Sequence, residues 1–274
     1  MKTNRQIELM GIVNLTDDSY FAQSRCADVD TALRRVEKMV GDGADIIDVG
    51  ACSSRPGSVP VGADEEWRRL EPVLHALRCN FPELRISVDT YWASVVENVY
   101  GLIGDFIVND ISAGEDDPQM LATVGRLGLE YVAMHKRGTS QTMQSMTGYD
   151  DVVAEVIRYF KDFSAKAQQA GISRWLLDPG FGFAKTVEQN YRLLASLPQI
   201  RASLSEADLG ILVGVSRKSM IYKPLDITPE EALSPTQAVH MAALIGGADV
   251  LRVHDVKEAR QTVFLYEMMQ KVSQ

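Results

Sequence analysis

Eight short apolar runs, each closed by polar residues, alternate with eight segments of helical pattern along this chain, and that alternation constrains the fold more than any other feature. In order the runs are Ile7–Leu15, Ala44–Gly50, Leu84–Thr90, Asp105–Ile111, Glu130–Lys136, Trp175–Gly180, Leu209–Ser216 and Ala248–Asp255. Their ends carry Asn14, Asp48, Asp89, Asn109, His135 and Asp178, then Lys218 just past the seventh run, and Arg252 with His254 in the eighth. Eight strand-then-helix units predict a closed (β/α)8 barrel, an architecture in which catalytic groups gather at the C-terminal ends of the strands. Segments such as ADIIDVG, FIVNDI, LGILVGV and ADVLRV are rich in Val, Ile and Leu with little alternation. Parallel strands covered on both faces have that composition, because neither face meets water.

The intervening segments place their apolar residues on one helical face. A helix opening at Asp28 and stopping at Gly43 is predicted, followed by helices over Asp64–Phe81, where Pro72 can introduce a bend, Tyr91–Leu102 and Pro118–Leu127. Asp150–Ala170, Thr186–Leu197, Pro229–Ile245 and Val256–Lys271 complete eight. A chain of 274 residues suits one such barrel, a single domain over residues 1–274. Three connections, Thr16–Ala27, Ala51–Gly62 and Lys136–Gly148, are longer than tight turns and would all rise over the catalytic end. Long loops there are commonly functional, and those near 16–27 and 51–62 are expected to be mobile.

A net charge of −9 argues against a nucleic-acid surface, without excluding a small anionic ligand held by a local cluster of cations. Arg217, Lys218, Arg252 and His254 supply such a cluster at or just past the last two runs. No apolar run approaches the ~20 residues of a membrane span, and the opening MKTNRQIELMG lacks the core of a signal peptide. Cys26, Cys52 and Cys79 show no CxxC spacing and leave an odd one over, which reads as reduced thiols in a cytoplasmic protein.

Several acids and amides converging on a barrel mouth suit a heterocycle with many N–H and C=O groups, such as a pterin or purine. Asp89, Asn109 and Asp178 can together satisfy an amino-pyrimidinone edge, since carboxylates accept from N–H and an amide both donates and accepts. Asp48 is the most readily structural of the set. Arg252, His254 and Asn14 become neighbours once a barrel closes, and Arg offers a fixed fork to phosphate oxygens. The alternative for Arg252 is an ion pair with Asp178 or Asp48, and His135 reads as a satisfied core histidine. Four histidines and three cysteines have no zinc-chelating spacing. Magnesium carried in with a diphosphate, touching the protein through Asn14, is the more plausible metal. Neither a GxGxxG nor a GxxxxGK[ST] motif supports a dinucleotide or nucleoside triphosphate. Phe183, in Asp-Pro-Gly-Phe-Gly-Phe, can line an aromatic pocket or simply pack, and Lys218 suits a hydrogen-bonding or charge role better than a Schiff base.

The segments MGIVNLTDDSY, DIIDVGACSSRPGS, ISVDT, VNDIS, MHKRGTSQTMQ, LLDPGFGFAKT, VGVSRKSMI and GADVLRVHDV follow one another in the order and form of the dihydropteroate synthase family, which the whole chain resembles. That resemblance implies transfer of the pterin-methyl group from 6-hydroxymethyl-7,8-dihydropterin diphosphate to the amine of 4-aminobenzoate. It implies Asp89, Asn109, Ile111, Met134, Asp178, Lys218 and Arg252 at the pterin, with Asp89, Lys218 and Arg252 closest to the chemistry. It further implies Asn14, Arg55, Arg252 and His254 at the diphosphate, with Asn14 on Mg2+, and Ser54, Arg55, Pro56, Phe183, Lys218 and Ser219 at the aminobenzoate, where sulfonamides compete. A homodimer through late helices such as Pro229–Ile245 and Val256–Lys271 is implied as well. The chain departs from the family mainly in its first loop: Asp17 replaces the usual Pro, Tyr20 the common Phe, and Ala22-Gln23-Ser24 the usual Asp-Gly-Gly, while Ser54 stands for Thr in the second. Two alternatives share the barrel: a methyltetrahydrofolate-dependent corrinoid methyltransferase, and a pterin-binding paralogue without catalysis.

Overall fold

The computed structural model describes residues 6–15, 28–52, 61–204 and 209–272. Eight strands, β1 (Glu8–Asn14), β2 (Ile46–Gly50), β3 (Arg85–Asp89), β4 (Ile107–Asp110), β5 (Glu130–Met134), β6 (Trp175–Asp178), β7 (Gly210–Val213) and β8 (Val250–Val253), pair in parallel, each with the next. β8 returns to β1, and the barrel closes as predicted. Outside it lie α1 (Val29–Gly41), α2 (Ala63–Asn80), α3 (Ala93–Ile103), α4 (Met120–Leu127), α5 (Val152–Ala170), α6 (Val187–Ala195), α7 (Leu197–Ser203), α8 (Ser219–Leu225), α9 (Leu233–Ile245) and α10 (Val256–Val272).

Local chemistry sets the element ends. Asp28 accepts from the Thr31 amide at 2.7 Å to cap α1, and Asp151 accepts from the Val153 and Ala154 amides to cap α5. At Gly128 and Gly171 the chain turns left-handed and ends α4 and α5. The predicted helix over 186–197 is two helices, parted at Ser196, with Pro198 in the first turn of the second. The predicted helix over 229–245 starts only at Leu233, and the segment before it turns through Thr228–Glu231 hydrogen bonds. The short helix α8 was not foreseen, since seven residues containing Pro224 show little periodicity. Among the described residues no helix is long and apolar enough to cross a membrane.

Two cores result. Outward-facing Val13, Ile47, Val88, Val108, Tyr131, Leu177, Val213 and Val253 pack with the helices. Inside the barrel Met10, Ile46, Ile107, Val132, Leu212 and Val250, with Leu176 against them, make a separate apolar plug. Strand side chains alternate faces, so the residues two and four beyond that plug also point inward. Those are Asn14, Asp48, Asn109, Met134, Asp178, Arg252 and His254. The strand register sets Asn14 opposite Gly50, Gly50 opposite Asp89, Asp89 opposite Asn109, and Met134 opposite Asp178. The barrel is therefore apolar at its base and polar at its mouth.

Candidate active site

Asp48 lies one inward position below the rim and is completely buried. It accepts from Ser87 Oγ at 2.6 Å, Asn109 Nδ2 at 3.1 Å and Arg252 Nε at 2.7 Å. Arg252 Nη2 also donates to Asp89 Oδ2 at 3.0 Å. The alternative of an ion pair for Arg252 therefore holds for Asp48, and Asp89 joins it. Asp48 thus holds two neighbours, Asn109 and Arg252, in place. With its Nδ2 bound to Asp48, Asn109 is left to present its Oδ1 as an acceptor.

Across the mouth, Asp178 Oδ1 accepts from the Gly180 amide at 2.8 Å. Lys218 Nζ donates to the Phe181 carbonyl at 2.6 Å and lies 4.7 Å from the centre of the Phe183 ring. Two glycines open the space between these groups. A Cβ on Gly214 would stand 3.9 Å from Asp178 Oδ2, Lys218 Nζ and Arg252 Cβ alike. A Cβ on Gly50 would meet Asp89 at 3.3 Å and Asn14 Oδ1 at 3.7 Å. Ser216 Oγ touches His254 Nδ1 at 3.0 Å and joins the ends of the last two strands.

Burial governs the charges here. It pushes the Asp89 carboxyl well above the usual carboxylate range, against the pull of Arg252, and raises Asp178 against the pull of Lys218. Burial likewise brings Lys218 down to about 8, with Asp178 opposing. His254 is held well below its ordinary value by burial and then by Arg252 and other cations. A neutral imidazole beside cations is poised to accept an anion, which would restore its affinity for a proton.

Other polar residues near the mouth have their partners fixed by the fold. Arg217 joins the cationic cluster already paired: its charge acts on His254, while its Nε and Nη2 grip Asp255 at 2.8 and 3.0 Å and its Nη1 donates to the Pro229 and Glu230 carbonyls. His135 is buried in the core as expected, edge-on to Tyr159 with ring centroids 4.9 Å apart. Lys185 was overlooked. It is buried against His135 and the Gly180 turn, and a lone lysine between Ala184 and Thr186 carries no periodic signal. Ile111 lies just beyond β4, and Ser219 opens α8 directly after Lys218. Ser54, Arg55, Pro56 and the first loop, Thr16–Ala27, lie outside the described residues.

Comparison with known proteins gives this geometry a context. A family model described as pterin binding enzyme matches residues 10–254. The dihydropteroate synthase of Escherichia coli strain K12 is 41% identical over 261 residues, covering 94% of this chain and 90% of the relative. The chain belongs to the pterin-binding enzyme family, among its dihydropteroate synthases. It is thus a transferase of that kind. A solved dihydropteroate synthase of Yersinia pestis, in complex with a sulfonamide drug, superposes with a TM-score of 0.91 at 35% identity, covering 99% of this chain and 96% of the other. That of Thermus thermophilus, in complex with 4-aminobenzoate, gives 0.84 at 37% identity, covering 96% and 95%. In this chain Asp178, Lys218 and Arg252 stand around Gly214, and Arg252 joins them to Asp89, which neighbours Gly50 and Asn109.

Proposed function

We propose that the chain condenses 6-hydroxymethyl-7,8-dihydropterin diphosphate with 4-aminobenzoate, giving 7,8-dihydropteroate and diphosphate, through the residues of this barrel mouth. The observation that carries the reading is the convergence of Asp178, Lys218 and Arg252 on the space above Gly214, beside Asp89 and Asn109. Asp89, Asn109 and Asp178 match the donors and acceptors of the pterin edge, and Lys218 donates to it. Ile111 and Met134 line the ring, and the Arg252 guanidinium, braced by Asp48 and Asp89, stacks on its face. Phe183, Lys218 and Ser219 flank the aminobenzoate, with Ser54, Arg55 and Pro56 completing that side. Sulfonamides would compete there.

The bond that breaks is carbon–oxygen, and the pair of electrons leaves with the diphosphate. Arg252, His254 and Arg55 stabilise charge on that leaving group. The carbon left behind is a cation delocalised into the pterin, and the Asp89 carboxylate next to it favours that charge. The arylamine is a neutral nucleophile at pH 7, so its lone pair attacks without a strong base and its proton departs to solvent. Enclosure of the site keeps water from taking its place.

Magnesium fits the donors present. Mg2+ takes oxygen ligands, most of which the diphosphate and water would supply, so a neutral amide oxygen is a suitable contribution from the protein. Asn14, whose Oδ1 faces the Gly50 opening, would hold it. When bound, the ion supplies further charge stabilisation to the departing diphosphate.

Phe264, Leu265, Met268, Met269 and Val272 expose an apolar face along α10, and Ile245 adds to it at the end of α9. These favour a homodimer through the late helices. Three cysteines, an odd number without CxxC spacing, support a cytoplasmic setting. The deciding assay for the activity is diphosphate release with magnesium, with and without 4-aminobenzoate, on wild type and Arg252→Ala. Amine-dependent release that falls at least ~100-fold in the variant is expected. Pterin binding without release would make the chain a binding paralogue instead.

A further inference from the structure

We propose that Lys185 is a positioning residue: its ammonium locks the turn after β6 and so sets the Phe183 ring and the Lys218 amine in place for the arylamine. This inference rests on the reaction proposed above. The turn from Gly180 to Ala184 alternates in conformation, with positive φ at Gly180 (71°), Gly182 (84°) and Ala184 (51°). A non-glycine residue at positive φ is strained and persists only where its surroundings hold it. Here the surroundings are a cage around one amine. Lys185 Nζ lies 3.0 Å from the Gly180 carbonyl, 3.0 Å from the Phe183 carbonyl, 3.3 Å from the His135 carbonyl and 3.0 Å from His135 Nδ1.

The first two contacts bracket Phe181 and Gly182, and the last two tie the turn to the end of β5. Burial lowers the Lys185 pKa to about 7, with Asp178 opposing, and this ring of acceptors favours the ammonium, whose three protons it can take, over the neutral amine. Burial drives the His135 pKa down to about 2 and leaves the imidazole neutral, and the ammonium 3.0 Å from Nδ1 selects the tautomer in which that nitrogen accepts. The fit is close: a Cβ on Gly180 would fall 1.9 Å from the His135 carbonyl. Asn190, itself buried, secures the same turn by accepting from the Gly182 amide at 2.8 Å.

The working parts of the turn are its other groups. The Phe181 carbonyl receives Lys218 Nζ, the Phe183 ring lies beneath that amine, and a Cβ on Gly182 would sit 3.3 Å from Lys218 Cδ. Moving the turn therefore moves the wall of the aminobenzoate pocket and the seat of Lys218 together. The pterin shares Lys218 with the arylamine and meets the turn again where the Gly180 amide donates to Asp178, but Asp89 and Asn109 stand on strands away from it, so its loss is the smaller of the two.

The test uses Lys185→Ala and Lys185→Gln in the full chain, the second conserving length and polarity should the first not fold. We expect the KM for 4-aminobenzoate to rise about tenfold or more and that for the pterin diphosphate by less than about threefold, since small displacements of a positioning wall carry penalties of this order. Propylammonium should restore part of the loss in Lys185→Ala, and tetramethylammonium, which has no N–H, should not. Amide exchange should quicken across 180–184 in both variants with β6 still protected, a readout independent of turnover. Unchanged KM values in a folded variant, or equal rises for both substrates, would overturn the role. Wild type without amine-dependent diphosphate release would instead overturn the reaction assignment, and the exchange measurement would then judge the cage alone.

Discussion

Glu66 tests how well burial explains the charges of this protein. It stands on α2, is completely buried, and among the described residues neither carboxyl oxygen meets a partner in hydrogen-bonding geometry. Burial raises its pKa from 4.5 to about 7, with the Thr90 hydroxyl offsetting only part of that. A shift of this size corresponds to about 3 kcal/mol, at ~1.4 kcal/mol per pH unit. The sign follows from proton binding. Between 4.5 and about 7 the folded chain retains a proton that the unfolded chain has released, so this group's contribution to stability falls as pH rises through that window and then levels off. Asp89, Asp110 and Asp178 are raised in the same direction, so only a difference between two proteins isolates Glu66. Glu66→Gln cannot ionise. Measured by urea unfolding at fixed protein concentration, the stability of the variant minus that of wild type should grow by about 2.5 kcal/mol from pH 5 to pH 8. A difference that stays the same at both pH values would refute the argument, because it would mean that the buried carboxylate finds compensation when it ionises.

Two further outcomes follow from the site and from the surface. Asp48→Asn keeps the shape of the side chain but removes the charge that Arg252 and Asn109 are set against, and should cost about 3 kcal/mol in urea unfolding together with a raised KM for the pterin diphosphate; an unchanged KM would show that Asp89 alone orients the guanidinium. Phe264→Asp, on the exposed face of α10, should shift sedimentation velocity from dimer to monomer at micromolar concentration, and wild type sedimenting as a monomer would remove that face as an interface.

Chemistry confined to a short stretch of chain was readable before the fold was known. The eight runs announce the strands because Val, Ile and Leu crowd segments of strand length, and the polar residues ending them face the mouth because the barrel brings strand ends together. What stayed hidden depended on distance. The inward and outward faces of each strand are both apolar near the base, so no alternation shows which residues line the interior. Asp48 and Arg252 are 204 residues apart, and nothing local to either announces their pairing. Arg217 looked like a free cation beside Lys218 because Asp255, which occupies it, lies 38 residues on. Lys185 has its partners on another strand and in its own turn's carbonyls, which no side-chain pattern reveals.

These hidden partners share one physical cause. A barrel mouth that must hold an anion and a polar ring needs buried charges before either arrives, and an uncompensated buried charge is costly. The side chains of this site offset one another: Arg252 is spread over Asp48 and Asp89, Lys218 rests on a carbonyl, and burial and neighbouring cations hold His254 uncharged beside Ser216. Substrate binding is then an exchange of partners. In the proposed reaction the diphosphate would draw on Arg252 and raise the proton affinity of His254, while Asp89, relieved of part of its cation, would face the positive charge that grows on the pterin carbon. The same rule that makes single strand-end charges ambiguous in a sequence thus makes their convergence, once the barrel closes, the signature of the chemistry.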